Sequence, residues 1–269
     1  MVIFDSHTHN INSHDGEQTP EEQLNSTIQK GFKGYAITDH CELEELYWEE
    51  YCKEHIPISI KKAKEFKELY KDKIIISVGV EMGSSIFEPE RANKIIAENS
   101  LDFILASCHC PKGMGDYCKY DYSKLKSRIP DILKNYFEIL EQTSALCDFD
   151  SLSHLNYPIR YISGNYGIPV DLTPYISTIK KIMENLIKRD KALEINTSGF
   201  RQKIGVCLPN AEIINIYKNM GGKLITIGSD AHRSSDMGKD FDRTCKLLKE
   251  CGFDRYYYYQ KREPIEIII

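Results

Sequence analysis

At 269 residues, 41% hydrophobic and 28% charged, the chain is long enough for one α/β barrel. No Pro/Gly/Ser-rich linker or shift in composition divides it, so 1-269 reads as a single domain. A net charge of -5 with both signs interspersed argues against a nucleic-acid groove or an anionic membrane surface, and favours a small-molecule partner.

No apolar run approaches the about 20 residues that cross a bilayer, and the start MVIFDSHTHN lacks the basic and apolar regions of a secretion signal, so a cytoplasmic location is expected. Short β-branched runs then alternate with longer helical patterns, the mark of parallel strands joined by crossover helices. After the strand VIFD, Thr19, Pro20 and Glu22 form a capping box that opens a helix ended by Gly31, and the strand Gly34 to Thr38 follows. A lysine-rich helix from about Pro57 to Tyr70 leads into a strand from Lys73 to Glu81. A helix over Glu88 to Glu98, the strand Leu101 to Ser107, a long helix from Pro130 to Leu146 and the strand Phe149 to Ser153 come next. A helix from Thr173 to Lys188 precedes the strand Ala192 to Asn196. Pro209 opens a helix that stops at Gly221-Gly222, and Lys223 begins the strand leading to Asp230. The helix Asp240 to Glu250 and an edge strand over Arg255 to Tyr259 complete seven strand-helix units.

Six of the eight histidines, His7, His9, His40, His109, His154 and His232, fall just after these strands. In a parallel barrel the carboxyl ends of all strands face one rim, so these histidines converge there with Glu81 and Asp230. Any one of them alone reads as a surface or satisfied core residue; six together read as metal ligands. Eight candidates are too many for one tetrahedral ion and fit two or three metals sharing a carboxylate, for which Glu81 is the natural bridge because Gly79 and Gly83 allow close approach. The nine cysteines show no repeated CxxC pair and read as buried or idle thiols; Cys108 and Cys110, flanking His109, are assigned no ligand role. Metals roughly 3.5 to 4 Å apart clamp the attacking and leaving oxygens of a displacement at phosphorus, which is what a phosphate monoester needs.

The Asp5-x-His7-x-His9 start, Thr38-Asp39-His40, Gly79-Val80-Glu81-Met82-Gly83, Ala106-Ser107-Cys108-His109, Ser153-His154-Leu155-Asn156-Tyr157 and Gly228-Ser229-Asp230-Ala231-His232 together resemble the PHP (polymerase and histidinol phosphatase) superfamily. Within it the chain looks most like the monofunctional histidinol phosphatases. The resemblance implies a distorted seven-stranded (β/α)7 TIM-like barrel with three divalent ions, zinc, iron or manganese. It implies one ion held by His7, His9, Glu81 and Asp230, a second by Glu81, His109 and His154, and a third by His40, His232 and Asp15, with His14 as the alternative to Asp15. Asp5 is expected to orient a ligand histidine. Arg160 and Arg201 match phosphate-binding arginines of that group.

The expected reaction is in-line attack of metal-bound hydroxide on L-histidinol phosphate, with catalysis carried by Asp39, Glu81, Asp230 and His232. A metal-bound water, Asp39 and Glu42 are candidates for protonating the leaving group. Tyr117, Tyr157, Tyr161 and Phe200 are candidates for the pocket wall. The rival readings are a PHP phosphoesterase acting on another small ester or a nucleotide, a nuclease, an amidohydrolase, and a catalytically silent metal-binding scaffold.

Overall fold

The computed structural model describes residues 2–269. Strand β1 (Phe4–Asp5) pairs with β2 (Gly34–Ile37), and β2 pairs with β4 (Ile75–Gly83), as does β3 (His40–Glu42) just beyond it. Next in the row stand β5 (Phe103–Ser107), β6 (Ser151–Leu152), β7 (Ala192–Asn196) and β8 (Ile225–Gly228), each parallel to its neighbour. Because β2 and β3 are one strand interrupted at Thr38 and Asp39, the row has the seven positions that the sequence predicts.

The two ends of the row meet. Ser6 N–H donates to the Ile227 carbonyl at 3.0 Å, Asp230 N–H to His7 at 2.8 Å, and His9 N–H to Ala231 at 2.9 Å. The result is a nearly closed barrel of seven parallel strands. Strands buried on both faces need continuous rather than alternating apolar runs, and FILAS in β5, ALEIN in β7 and ITIG in β8 are buried at every position.

Crossover helices follow the predicted order, with three differences. The capping box at Thr19 and Glu22 opens the helix Pro20–Gln29 as expected. The lysine-rich helix, however, spans Lys53–Leu69 and is entered through Glu45–Tyr47 and a π turn, Trp48–Cys52, so Pro57 lies inside it. There the proline removes one backbone hydrogen bond, while Ile56, Ile60 and Ala63 on either side of it are buried against the barrel and hold the helix in place. Likewise Pro209 does not open the next helix. Asn210 does, its Oδ1 accepting Ile213 N–H at 3.2 Å, and the helix runs Ala211–Asn219.

The third difference lies at the end of the chain. The tyrosine run forms β9 (Arg255–Gln260), but it pairs with β10 (Glu263–Ile268) in an antiparallel hairpin separate from the barrel sheet. Pro264 and the flanking glutamates conceal β10 in the sequence, and both are common on exposed edges. The hairpin covers the amino-terminal mouth of the barrel. Tyr258 stacks on Phe4 at 4.2 Å and Tyr259 on Phe103 at 5.2 Å. At its tip Lys261 N–H donates to Asp102 at 2.8 Å, and Arg262 pairs with Asp148 at 2.8 Å and Asp150 at 2.6 Å.

Tyr256 is fully buried; its hydroxyl accepts Phe4 N–H at 2.9 Å and donates to the Val2 carbonyl at 3.2 Å. Tyr256→Phe removes that acceptor from a buried strand N–H and is expected to cost about 1–3 kcal/mol in urea unfolding. An unchanged unfolding midpoint and slope would show that the hairpin does not support β1.

Candidate metal centre

Every strand of the barrel delivers a polar side chain to the carboxyl-end rim, and Glu81, near the end of β4, lies at the centre. Its Oε2 is 2.8 Å from His40 Nδ1, 3.4 Å from His7 Nε2 and 3.6 Å from His9 Nε2. On the other side Oε1 is 2.9 Å from His154 Nε2 and 3.3 Å from His109 Nε2. The close approach requires glycine at two neighbouring points. A Cβ on Gly83 would stand 2.0 Å from Glu42, and one on Gly228 would stand 2.3 Å from His7 and 2.4 Å from Glu194.

Four of the six imidazoles share one hydrogen-bonding pattern, whereas His40 turns Nδ1 to Glu81. His7 Nδ1 faces Glu194 at 2.6 Å, His109 Nδ1 faces Glu42 at 2.6 Å, His9 Nδ1 faces Ser13 Oγ at 3.1 Å, and His232 Nδ1 faces the Asp230 carbonyl at 3.0 Å. A proton on each Nδ1 leaves the Nε2 lone pair directed into the site, the arrangement by which outer carboxylates and carbonyls orient metal-binding histidines. Accordingly His7 Nε2, His9 Nε2, His232 Nε2, His40 Nδ1 and Glu81 Oε2 are buried with no hydrogen-bond partner among the described residues. His109 Nε2 and His154 Nε2 face each other at 3.2 Å and both face Glu81 Oε1, a set of atoms that one cation would bridge. The donor set is nitrogen and carboxylate oxygen, which suits zinc, iron or manganese.

Three ion positions can be drawn from these atoms. His7, His9 and Asp230 form one group, and Glu81, His109 and His154 a second, with the ligand atoms of each within 4.8 Å of one another. His9, His40 and His232 also lie that close, but His9 has only one free nitrogen. Asp15 completes this third group, 3.5 Å from His40 Nε2 and 3.3 Å from His232 Nε2. His14 also lines the cavity, its ring 5.3 Å from that of His40, but only Asp15 pairs with both His40 and His232 among the described residues. Glu42 also groups with His40 and His109, but its Oε1 is engaged by His109 Nδ1 and it reads as a support for that ring.

Burial and neighbouring charge compete across the cluster: burial disfavours the charged forms of His7, His40 and His109, yet the carboxylates around them hold all three well above the usual imidazole range. Burial opposes charge on Glu81, yet His109, His7 and His40 hold its carboxyl well below the usual range. The same balance keeps Asp230 ionised, with burial opposed by His7, His9 and Arg160. Burial, with His40 and His232 close by, holds His9 neutral, as a ligand must be.

Arg160 is 7% exposed and directs Nη2 to Asp230 Oδ2 at 3.1 Å and Ser198 Oγ at 3.0 Å, at the wall of a cavity that opens over the cluster. That cavity is lined by His40, His109, His154, His232, Tyr157 and Tyr161 as well as Arg160 and is open to solvent.

Other expected residues lie elsewhere. Arg201 donates to the Ser229 carbonyl at 2.7 Å and faces Asp236 at 3.7 Å, outside the cavity wall, where it supports the backbone before Asp230. Asp39 is fully buried and accepts from Asn10 N–H at 2.7 Å, Ser13 Oγ at 2.8 Å and Ser59 Oγ at 2.5 Å. It therefore positions Ser13 under His9 and cannot reach a substrate. Asp5 touches no imidazole: it accepts from Ser229 N–H and Gly238 N–H, both at 2.8 Å, and ties β1 to the chain after β8. The orienting carboxylate for His7 is Glu194, whose Oε2 also accepts His154 N–H at 2.8 Å. Its signal in the sequence was a glutamate between Leu193 and Ile195 in the strand ALEIN. Of the aromatic candidates Tyr157 and Tyr161 line the cavity, whereas Tyr117 packs on Tyr136 in the core and Phe200 lies under Arg243.

Comparison with known proteins accords with this geometry. A family model described as PHP domain matches residues 5–198, and the chain belongs to that family. It is 27% identical over 263 residues to the "Probable histidinol-phosphatase" of Clostridium acetobutylicum, covering 97% of this chain and 98% of that one. It is also 27% identical to the "Histidinol-phosphatase" of Lactococcus lactis, covering 94% of this chain and 93% of that one. A crystal structure of a Lactococcus lactis histidinol phosphate phosphatase, complexed with zinc, L-histidinol and phosphate, superposes with a TM-score of 0.75. Identity there is 22%, over 97% of this chain and 98% of that chain, and the likeness is one of fold.

If Glu194 fixes the His7 tautomer, Glu194→Gln should weaken metal retention about 10- to 100-fold in a chelator competition. Asp5→Asn is expected to lower thermal stability with a smaller effect on retention. Equal retention in wild type and Glu194→Gln would remove Glu194 from the site.

Proposed function

We propose that this chain is a metal-dependent phosphatase that hydrolyses L-histidinol phosphate to L-histidinol and phosphate. The observation that carries the proposal is Glu81, whose two oxygens face two separate sets of imidazoles on the floor of a cavity walled by a buried arginine. The names of the two relatives supply the substrate, and the absence of a basic stripe in the sequence favours a small ester over nucleic acid. In this reading His7, His9, Glu81 and Asp230 hold one divalent ion, Glu81, His109 and His154 a second, and His40, His232 and Asp15 a third. When bound, these ions supply an activated water at neutral pH and neutralise charge on the phosphoryl oxygens.

The chain's own residues do the rest. Arg160, with its Nε buried and unpartnered among the described residues, has donors left for a phosphoryl oxygen after pairing with Asp230. Ser198 donates to Asp230 at 3.2 Å and Asn196 at 3.3 Å, so the carboxylate between cluster and arginine is fixed on both sides. Asp230 adopts a left-handed backbone, φ 55°, which a β-branched residue would resist and which turns both it and His232 toward the cavity. Where the ester oxygen leaves, Tyr157 closes the cavity against His109 and His154, its ring 4.9 Å from each, and limits bulk water on that side. A cytoplasmic location belongs to this reading; no helix among the described residues is long and apolar enough to cross a membrane.

Phosphate release from L-histidinol phosphate should be abolished by exhaustive chelation and restored by zinc, iron or manganese. Failure of every metal to support hydrolysis of any monoester would point to a silent scaffold, and faster turnover of AMP to a nucleotide phosphatase. Arg160→Met is expected to lower kcat/KM about 10²- to 10³-fold. Arg201→Met should lower it less than about tenfold, as expected of a residue that acts through the Ser229 backbone. A larger loss at Arg201 would reverse the two roles.

A further inference from the structure

In the cavity Arg160 lies over the ring of Tyr157 beside the imidazoles and the carboxylates among them, while at the hydroxyl end of Tyr157 stand Asp116 and Lys119. Asp116 is half-buried in the loop after His109, and its Oδ1 accepts Cys118 N–H at 2.6 Å and the Tyr157 hydroxyl at 3.0 Å. Tyr161 donates to the Tyr157 hydroxyl at 3.0 Å, so the carboxylate and both tyrosines form one fixed wall. Asp116 makes no ion pair among the described residues, although Lys119 is only three residues away. Lys119 instead reaches the Tyr47 hydroxyl at 3.3 Å and lies over that ring, 5.3 Å from its centre. A cavity-wall carboxylate that no lysine or arginine pairs among the described residues is the complement of a cationic ligand group.

We infer that Asp116 is a specificity-determining residue that binds the ammonium group of the substrate while Arg160 and the cluster hold its phosphoryl end. The inference rests on the proposed activity and deepens it. L-Histidinol phosphate carries its ammonium on the carbon next to the phosphoester carbon, and Tyr157 spans the corresponding gap, its ring against His109 and His154 and its hydroxyl on Asp116. A cation placed there gains a charge-assisted hydrogen bond, whereas a neutral ester or a nucleotide with further negative charge gains nothing or is repelled.

The test compares L-histidinol phosphate with 3-(imidazol-4-yl)propyl phosphate, the same ester without the amino group, on wild type and Asp116→Asn loaded with the same metal. Asparagine keeps a carbonyl to accept from Cys118 N–H and Tyr157 and removes only the charge, so a role confined to capping the turn is preserved. The ratio of kcat/KM for L-histidinol phosphate to that for the analogue should fall about 10- to 100-fold in the variant, with most of the change in KM. Equal losses on the two esters, or a wild type that does not prefer the amino ester, would overturn the role of Asp116 while leaving the phosphatase reading in place. A wild type inert toward both but active on another monoester would overturn both readings.

Discussion

A carboxylate buried away from water needs positive charge or hydrogen-bond donors around it, and Glu81 is given five imidazoles and no backbone donor. Neutral imidazoles directing lone pairs at a carboxylate repel it, and protonated ones would each bear a buried charge. Cations between them resolve both problems, and the outer hydrogen bonds from Glu194, Glu42 and Ser13 already place the protons of His7, His109 and His9 where such an arrangement needs them. The centre of this protein is therefore stabilised as a polar network whose last members are ions, and the chemistry of phosphate transfer is available at the same place.

The same network depends on the closing of the barrel. His7 and His9 reach Asp230 and His232 only because residues 6–9 pair with residues 227–231, and Asp5 reinforces that seam through Ser229 and Gly238. At the opposite mouth the tyrosine hairpin pins the start of β1 by stacking on Phe4 and bonding its N–H. Strand ends that carry ligands are thus held from below by apolar packing and from the side by a parallel seam. Elements far from the rim therefore act on the spacing of its imidazoles and carboxylates, as the outer support of a site commonly does.

Much of the rim was legible in the sequence because strand ends in a parallel barrel obey a simple rule: a polar residue that follows an apolar run faces the rim. That rule, with the family resemblance, found His7, His9, His40, Glu81, His109, His154, Asp230 and His232, and the capping box at Thr19 was equally direct. Side chains whose direction is set by loops were harder to read. Arg201 lies near the site in sequence, yet the short helix Ser198–Arg201 turns it toward Ser229 and Asp236. Asp39 follows a strand as the ligands do, but falls at the interruption between β2 and β3 and turns inward to Asn10, Ser13 and Ser59. Glu194 was hidden inside a strand where sequence patterning anticipates only apolar contacts, and β10 was hidden by Pro264 and glutamates on an edge that faces solvent.

The shared use of Glu81 by two ions is the claim on which the rest stands, and anomalous diffraction from crystals of the metal-loaded protein tests it directly. Two peaks, each about 2.0–2.2 Å from a different oxygen of Glu81, with His7, His9 and Asp230 around one and His109 and His154 around the other, are the expected result. A single ion elsewhere on the rim, with both oxygens of Glu81 free of metal, would contradict it.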